Sequence, residues 1–307
     1  MIGSCFTENI GEKLRRYKFS TLENPHGILF NPVSVCEAIS DCIQNNSYET
    51  SDLFCLNEGW HSWKHHSRFS GLSPEEAVEK INTSISTAHI YLKQADFCFI
   101  TLGSAWVYTL TGKADNAEIG SIAANNHKSP ADWFSRRLLS AAEVEEELSY
   151  MLQELHTFNP DCRVIFTISP VRHLREGVID NNRSKAVLIQ AVHSVIDNRE
   201  GAYYFPAYEL VLDDLRDYRY FSEDLVHPNY FATQYVWEKF IGACTDEKTK
   251  ALMEEIERIN AAYNHKPFNP TSEQHKTFMR NMHTAVLKME EQYPYLDFNK
   301  EKAYFSC

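Results

Sequence analysis

Three side chains in this sequence have the types needed to make and break an acyl bond. They are Ser4 near the amino end, and Asp224 and His227 within Phe221-Ser222-Glu223-Asp224-Leu225-Val226-His227-Pro228-Asn229. A serine hydroxyl becomes a nucleophile only when a base removes its proton and a third group holds that base in the right tautomer. An Asp and a His three apart on a turn entering a helix can do both jobs: the carboxylate reaches Nδ1 and leaves Nε2 free to face a serine. The competing reading is a helix cap, with Asp224 or Asn229 accepting backbone N–H groups and the histidine incidental. Ser4 lies in Gly3-Ser4-Cys5-Phe6 ahead of a helical pattern (Ile10, Leu14, Tyr17), where a strand would hand over to a helix. The helix N-terminus favours a developing anion there, although capping alone would also explain a serine at that place. Cys5 is a rival nucleophile one residue on, its side chain pointing elsewhere from the same turn.

Other polar clusters carry weaker signals. In His61-Ser62-Trp63-Lys64-His65-His66 the i, i+4 pair His61 and His65 would share a helix face and so suggest a metal site. No carboxylate stands at the spacing of a metallohydrolase. The interleaved tryptophans also suit a carbohydrate-facing loop, and ordinary surface or packed histidines are the plain alternative. Arg172 and His173 follow an apolar run and can clamp a carboxylate or a sugar hydroxyl; equally, Arg172 can pair with Glu209 as scaffold. His127 and Lys128 lie in a polar loop that either lines a cleft or is solvated surface. Tyr208, Arg216, Asp217 and Tyr218 read as structural.

The elements that must position these residues are legible in three continuous apolar runs: 97–102, 163–168 and 202–205. Continuous rather than alternating hydrophobicity predicts strands covered on both faces, as in a parallel sheet. Helical spacing appears at 141–155, with Val144, Leu148, Met151, Leu152 and Leu155 on one stripe, and again at 185–196. Strand alternating with helix predicts a doubly wound α/β sheet with its site beyond the carboxyl ends of the strands. Gly103-Ser104-Ala105-Trp106 and Ser169-Pro170-Val171-Arg172-His173 fall at two such ends. From Asp246 the chain turns to charged helix, 247–264, then breaks near Pro267 and Pro270 before a second helix at about 272–292. The expected division is a catalytic domain over 1–243 and a helical extension over 244–307.

Composition narrows the partners. With 30 Lys+Arg against 42 Asp+Glu the formal net charge is −12, which repels phosphate backbones and anionic membrane surfaces in the absence of a basic patch. No apolar run reaches the length of about 18 residues needed to span a bilayer. Eight scattered cysteines without C-x-x-C pairs read as reduced thiols rather than a zinc site, and no secretory leader is visible, so the expected location is cytoplasmic. The expected partner is a small-molecule or carbohydrate ester, not a nucleic acid or a membrane, and no metal or organic cofactor is expected.

Taken together, Gly3-Ser4-Cys5-Phe6 with Glu8-Asn9-Ile10-Gly11, the run 24–32, Trp60 to Phe69, Thr101 to Trp106, Asn126-His127-Lys128, 169–173, 204–209 and 224–228 resemble the GSCFA domain family of the SGNH (GDSL-like) hydrolase superfamily. The resemblance implies a flavodoxin-like three-layer α/β sandwich and ester hydrolysis, with Ser4 matching the first conserved block and Asp224 and His227 the last. It makes Gly27 the counterpart of the glycine whose N–H helps to bind the oxyanion, beside the Ser4 N–H. The block that usually ends in Asn reads Gly103-Ser104-Ala105 here. Losing one oxyanion donor typically costs about 100- to 1000-fold in turnover, so Ser104, Asn125 or Asn126 is expected to replace it. The resemblance also places a strand before the nucleophile, where only Met1 and Ile2 precede Gly3. Strands usually need about three to ten residues, so a truncated start is expected. An acyltransferase, a non-catalytic carbohydrate- or ligand-binding protein, and a metal-dependent hydrolase using His61, His65 and His66 are the rival functions.

Overall fold

The computed structural model describes residues 1–306. Its strands are β1 (Ile2–Gly3), β2 (Phe54–Leu56), β3 (Gly59–His61), β4 (Phe97–Leu102), β5 (Trp106–Leu110), β6 (Ile122–Ala123), β7 (Phe134–Leu138), β8 (Arg163–Ile168) and β9 (Ala202–Tyr204). The helices are α1 (Cys5–Arg16), α2 (Pro32–Gln44), α3 (Pro74–Lys93), α4 (Ala141–Phe158), α5 (Val178–Asp197), α6 (Ala207–Glu209), α7 (Tyr230–Cys244), α8 (Glu247–Tyr263), α9 (Glu273–Gln292) and α10 (Asn299–Phe305). No helix among the described residues is long and apolar enough to cross a membrane.

The expected α/β arrangement is present as a four-stranded sheet in the order β1-β4-β8-β9, with every neighbouring pair parallel. Parallel pairing brings Gly3, Leu102 and Ile168 to one edge, through the registers Gly3↔Thr101 and Leu102↔Ile168. The last three residues of β4 and the last five of β8 are buried, as expected of strands covered on both faces. Their side chains share one core with α2, α4 and α5.

Helix α4 illustrates how the sequence directs this. Ser140 caps its first turn and Glu143 reaches back, a capping box that satisfies amides the helix itself leaves free. Val144, Leu148, Met151, Leu152 and Leu155 then fall on one stripe, and all five are buried in the core. Burying side chains of this size is worth about 1.5 to 3 kcal/mol each.

The strand judged too short does form. Ile2 and Gly3 pair with Ile100 and Thr101, because the other side of the segment is held as well. Asn24 N–H donates to Met1 O, Gly3 N–H to Asn24 Oδ1, and Leu29 N–H to Gly3 O. Two antiparallel pieces were not legible as strands: the hairpin β2–β3 and the sheet β6-β5-β7.

The chain divides into two compact units. One takes Met1–Gly11 with Leu22–Trp237, and the other Glu12–Thr21 with the chain from Glu238 on. The break therefore falls six residues before the expected one, and residues 12–21 group with the helical segment. That second unit has its own core, with Ile256, Ile259, Met279, Val286, Phe298 and Phe305 buried. Within it the Lys18 ammonium donates to Glu301 at 2.6 Å.

Candidate active site at the strand ends

The turn from β1 into α1 depends on Gly3. Its φ is +135°, and a Cβ there would stand 2.1 Å from Thr101 O, so only glycine fits. Ser4 follows and is fully buried, at 0 % exposure. Its N–H donates to Thr101 O (3.2 Å), its Oγ accepts from Phe6 N–H (3.3 Å) and its carbonyl accepts from Thr7 N–H (2.9 Å). Those are the bonds of a helix cap. The Cys5 thiol, on a half-buried residue, stands at the first turn of α1. Burial pushes its pKa up, and the Cys5 and Phe6 amides and the Lys185 ammonium pull the other way.

Lys185 is buried at 2 % exposure on the inward stripe of α5, and its Nζ donates to Gly103 O and Ser169 O, both at 2.7 Å. It thereby ties the carboxyl end of β4 to that of β8. Burial brings its pKa down to about 7. On the same stripe, Ser184 Oγ accepts from Ala105 N–H at 2.7 Å and lies 3.3 Å from Ser104 Oγ. Ser104 Oγ also accepts from Trp106 N–H, so this hydroxyl serves the loop. Asn181 Oδ1 accepts from His173 N–H. A Cβ on Gly103 would stand 3.1 Å from both His173 Nε2 and the Phe30 ring, which explains a glycine at this strand end. Burial first, then the charges of Lys185 and His227, hold His173 down to about 4, so its ring is neutral at physiological pH.

The Asp224–His227 turn is prebuilt. Asp224 Oδ2 accepts from His227 Nδ1–H at 2.7 Å, and Oδ1 accepts from the N–H groups of Val226 (2.9 Å) and His227 (3.0 Å). These bonds, led by the His227 amide, bring the carboxyl to about 2. The cap reading also holds, for a different residue: Asn229 Oδ1 accepts from Ala232 N–H at the start of α7. Arg172 secures the turn from the β8 side. Its backbone N–H donates to Val226 O, its guanidinium donates to Leu225 O, and its cation lies 4.2 Å from the Phe221 ring centroid. The expected partner Glu209 instead accepts from Tyr204 Oη. Among the described residues, no hydrogen bond joins Ser4 or Cys5 to His227.

The histidine-rich segment builds scaffold. His61 ends strand β3 and is followed by a turn, so His61 and His65 share no helix face. Both His61 nitrogens are engaged, Nδ1 with Ser70 Oγ and Nε2 with Leu56 O. His65 is buried, bonded to Ser62 Oγ through Nδ1 and stacked at 4.2 Å on His26, which donates to Asp41. His127 is buried between Ser62 O and Ser67 Oγ, and burial brings it down to about 4. Among the described residues, no three His, Cys, Asp or Glu side chains gather as metal ligands. Gly27 takes a φ of +85° and its N–H donates to Asn24 O at 2.7 Å. Asn125 Oδ1 accepts from His127 N–H, while Asn126 is half-buried beside it.

The strand ends carry Ser4, Cys5, Gly103, Ser104, Arg172 and His173, and Arg172 holds the Asp224–His227 turn, whereas His61, His65 and His127 bond to Ser70, Ser62 and Ser67. Sequence reasoning passed over Lys185, Ser184 and Asn181. The available signal was three polar residues on the buried stripe that continues through Leu188, Ala191, Val192 and Val195. Polar residues at the amino end of such a stripe face the carboxyl ends of the strands.

Residues 1–240 match the GSCFA family and residues 256–307 match the GSCFA domain protein, C-terminal domain. No curated protein and no solved structure matches the chain. With a strand-end site bounded by Gly3-Ser4-Cys5-Phe6 at one end of the matched region and Asp224-Leu225-Val226-His227 near the other, the chain belongs to the GSCFA family.

Proposed function

We propose that this protein is an acyl-ester hydrolase of the SGNH type, on a three-layer flavodoxin-like scaffold, with the Asp224–His227 pair as its base. One observation carries the reading: Asp224 holds His227 through Nδ1 at 2.7 Å and leaves Nε2 as the basic nitrogen. The nucleophile is Ser4, on the β1–α1 turn. Substrate carbonyl carbon binds over that turn, His227 Nε2 takes the nucleophile's proton, and the same proton is returned to the departing alcohol. Water then releases the acyl group by the reverse sequence. The N–H groups first expected to hold the oxyanion, those of Ser4 and Gly27, are engaged within the fold, at Thr101 O and Asn24 O. Small acetylated sugars and other acyl esters fit this chemistry, and a sugar hydroxyl in place of water would make the same site an acyltransferase.

A second reading, ligand binding without turnover, is favoured by Ala105, which is fully buried and has no side-chain donor to offer. A chromogenic acetyl ester separates the two. Turnover by the wild type that is lost in His227→Ala and insensitive to chelator supports the hydrolase. Turnover that persists in His227→Ala discards it, and retained ester binding without product supports the binding protein.

A further inference from the structure

Between residues 218 and 231, on either side of His227 in the chain, four large apolar side chains stand exposed: Tyr218, Leu225, Tyr230 and Phe231, the last two at 71 % and 70 %. The segment folds back on itself. Phe221 bridges antiparallel to Pro228, Ser222 N–H donates to His227 O (2.8 Å) and Asn229 N–H to Tyr220 O (2.9 Å), so residues 218–220 lie beside the start of α7. The Arg172 guanidinium stands 5.1 Å from the Tyr218 ring centroid and donates to Leu225 O, which joins those two residues. The Tyr230 and Phe231 rings meet edge to face at 5.8 Å. Consecutive Cα atoms are about 3.8 Å apart, so the Cα atoms of Leu225 and Tyr230 lie within about 8 and 11 Å of that of His227. The polar groups of the same surface are spent within the fold. Asp217 accepts from the Arg219 N–H and guanidinium, Asn229 donates to Arg219 O and caps α7, and Arg172 and Asp224 hold the turn. Between 213 and 224 five carboxylates (Asp213, Asp214, Asp217, Glu223, Asp224) face two guanidiniums (Arg216, Arg219). A ligand meeting this rim therefore gains from apolar contact and little from hydrogen bonds, and a negative charge on it is repelled.

We propose that this apolar rim is the chain-binding part of the site and that the substrate is an uncharged ester carrying a hydrocarbon chain of several carbons. The inference rests on the hydrolase reading above and narrows it from any acyl ester to an apolar one. Place fixes the occupant: the rim flanks the imidazole, so a chain lying on it leaves its ester carbonyl beside His227. With carbon–carbon bonds of about 1.5 Å, an extended chain of about eight carbons covers the reach from His227 to Tyr230. A carbohydrate in the same place would bring hydroxyls whose partners, Asp217, Asn229 and Arg172, are already bonded within the fold. An anionic lipid surface would meet the excess of carboxylates. A fully buried methylene is worth about fourfold in binding, and one half-covered on an open rim about twofold. Six methylenes, the difference between an acetyl and an octanoyl chain, then amount to roughly fiftyfold.

The test is to assay the full chain with p-nitrophenyl acetate, butyrate, hexanoate and octanoate, each kept dilute enough not to aggregate. Binding is followed separately by calorimetric titration with the uncleavable ketones 2-butanone and 2-decanone, which also differ by six methylenes. The expected kcat/KM rises on the order of fiftyfold from acetate to octanoate, mostly through KM, and 2-decanone binds more tightly than 2-butanone by a similar factor. Phe231→Ser cuts both ratios by roughly five- to tenfold and Phe231→Leu restores them, with the thermal midpoint of both variants near that of the wild type because the side chain is exposed. An octanoate-to-acetate ratio near one in the wild type, or faster turnover of glucose pentaacetate than of the octanoate, overturns the apolar substrate while the hydrolase reading stands. Absence of turnover with every ester overturns the hydrolase reading. The ketones then decide the rim by themselves: tight, Phe231-dependent binding of 2-decanone keeps it as a hydrocarbon site, and equal binding of the two ketones overturns it. A wild type that sediments as a dimer and becomes monomeric in Phe231→Ser gives the rim to a second copy and overturns the substrate assignment.

Discussion

Asp224 accepts three N–H groups from a single neighbouring turn, so its charge is used to hold that turn and to orient an imidazole. Its folded pKa, lowered to about 2, lies below the ordinary carboxylate value. A depressed carboxyl contributes stability above its unfolded pKa and loses it as pH falls through the folded one, here from about 4 down to about 2. Asp224→Asn keeps the turn's shape but offers the ring the wrong partner for its tautomer. Turnover should drop by roughly three to four orders of magnitude with little change in KM, read from steady-state kinetics on an acetyl ester. A loss under about tenfold would mean that His227 is oriented by something else.

At the scale of the element, two turns set the geometry and each stores its constraint in one residue. Leu225 adopts φ +58° inside the Asp224–His227 turn, a left-handed conformation that costs a non-glycine residue about 1 to 2 kcal/mol. Arg172 compensates by donating to Leu225 O. Leu225→Gly should leave the thermal midpoint unchanged or raise it, while β-branched Leu225→Val should lower it; the opposite order in calorimetry would show that the turn is not strained. Gly3 is the stricter case, because the obstacle is the Thr101 carbonyl and not a movable side chain. Gly3→Ala must push β1 away from β4. The variant should lose several kcal/mol in denaturant titration, well beyond the roughly 1 kcal/mol centre of point substitutions. A loss near that centre would mean that β1 pairing contributes little.

For the whole molecule, the informative group is one buried ammonium. Lys185 titrates near 7 when folded and near the ordinary lysine value when unfolded. Between those two values the unfolded chain holds a proton that the folded chain has shed, so stability climbs as pH rises from about 7 towards the ordinary lysine value and levels off below about 7. Lys185→Met removes that slope, whatever constant penalty it brings by leaving the Gly103 and Ser169 carbonyls without their donor. Chemical denaturation at several pH values from about 6 to 10 measures both quantities. A slope identical in the two proteins would place the titrating group elsewhere.

The sequence by itself determined what short-range patterns encode. Continuous apolar runs gave β4, β8 and β9, helical spacing gave α4 and much of α5, and the charged stretches on either side of Pro267 and Pro270 gave α8 and α9. The Asp-x-x-His spacing gave the prebuilt pair at 2.7 Å, because its two members sit on one turn. Tertiary structure decided the rest. Strand β1 exists because Asn24 and Leu29 bond its free side, and nothing in two residues could reveal that. His61 and His65 left the helix register that spacing suggested, because a strand end and a turn absorb them. Lys185 joined the site from more than 80 residues beyond Gly103 only when parallel pairing set the two strand ends side by side under α5. Periodicity reports which face a residue occupies, whereas the full burial of Ser4 and the half-burial of Cys5 depend on what the remainder of the chain packs against that face.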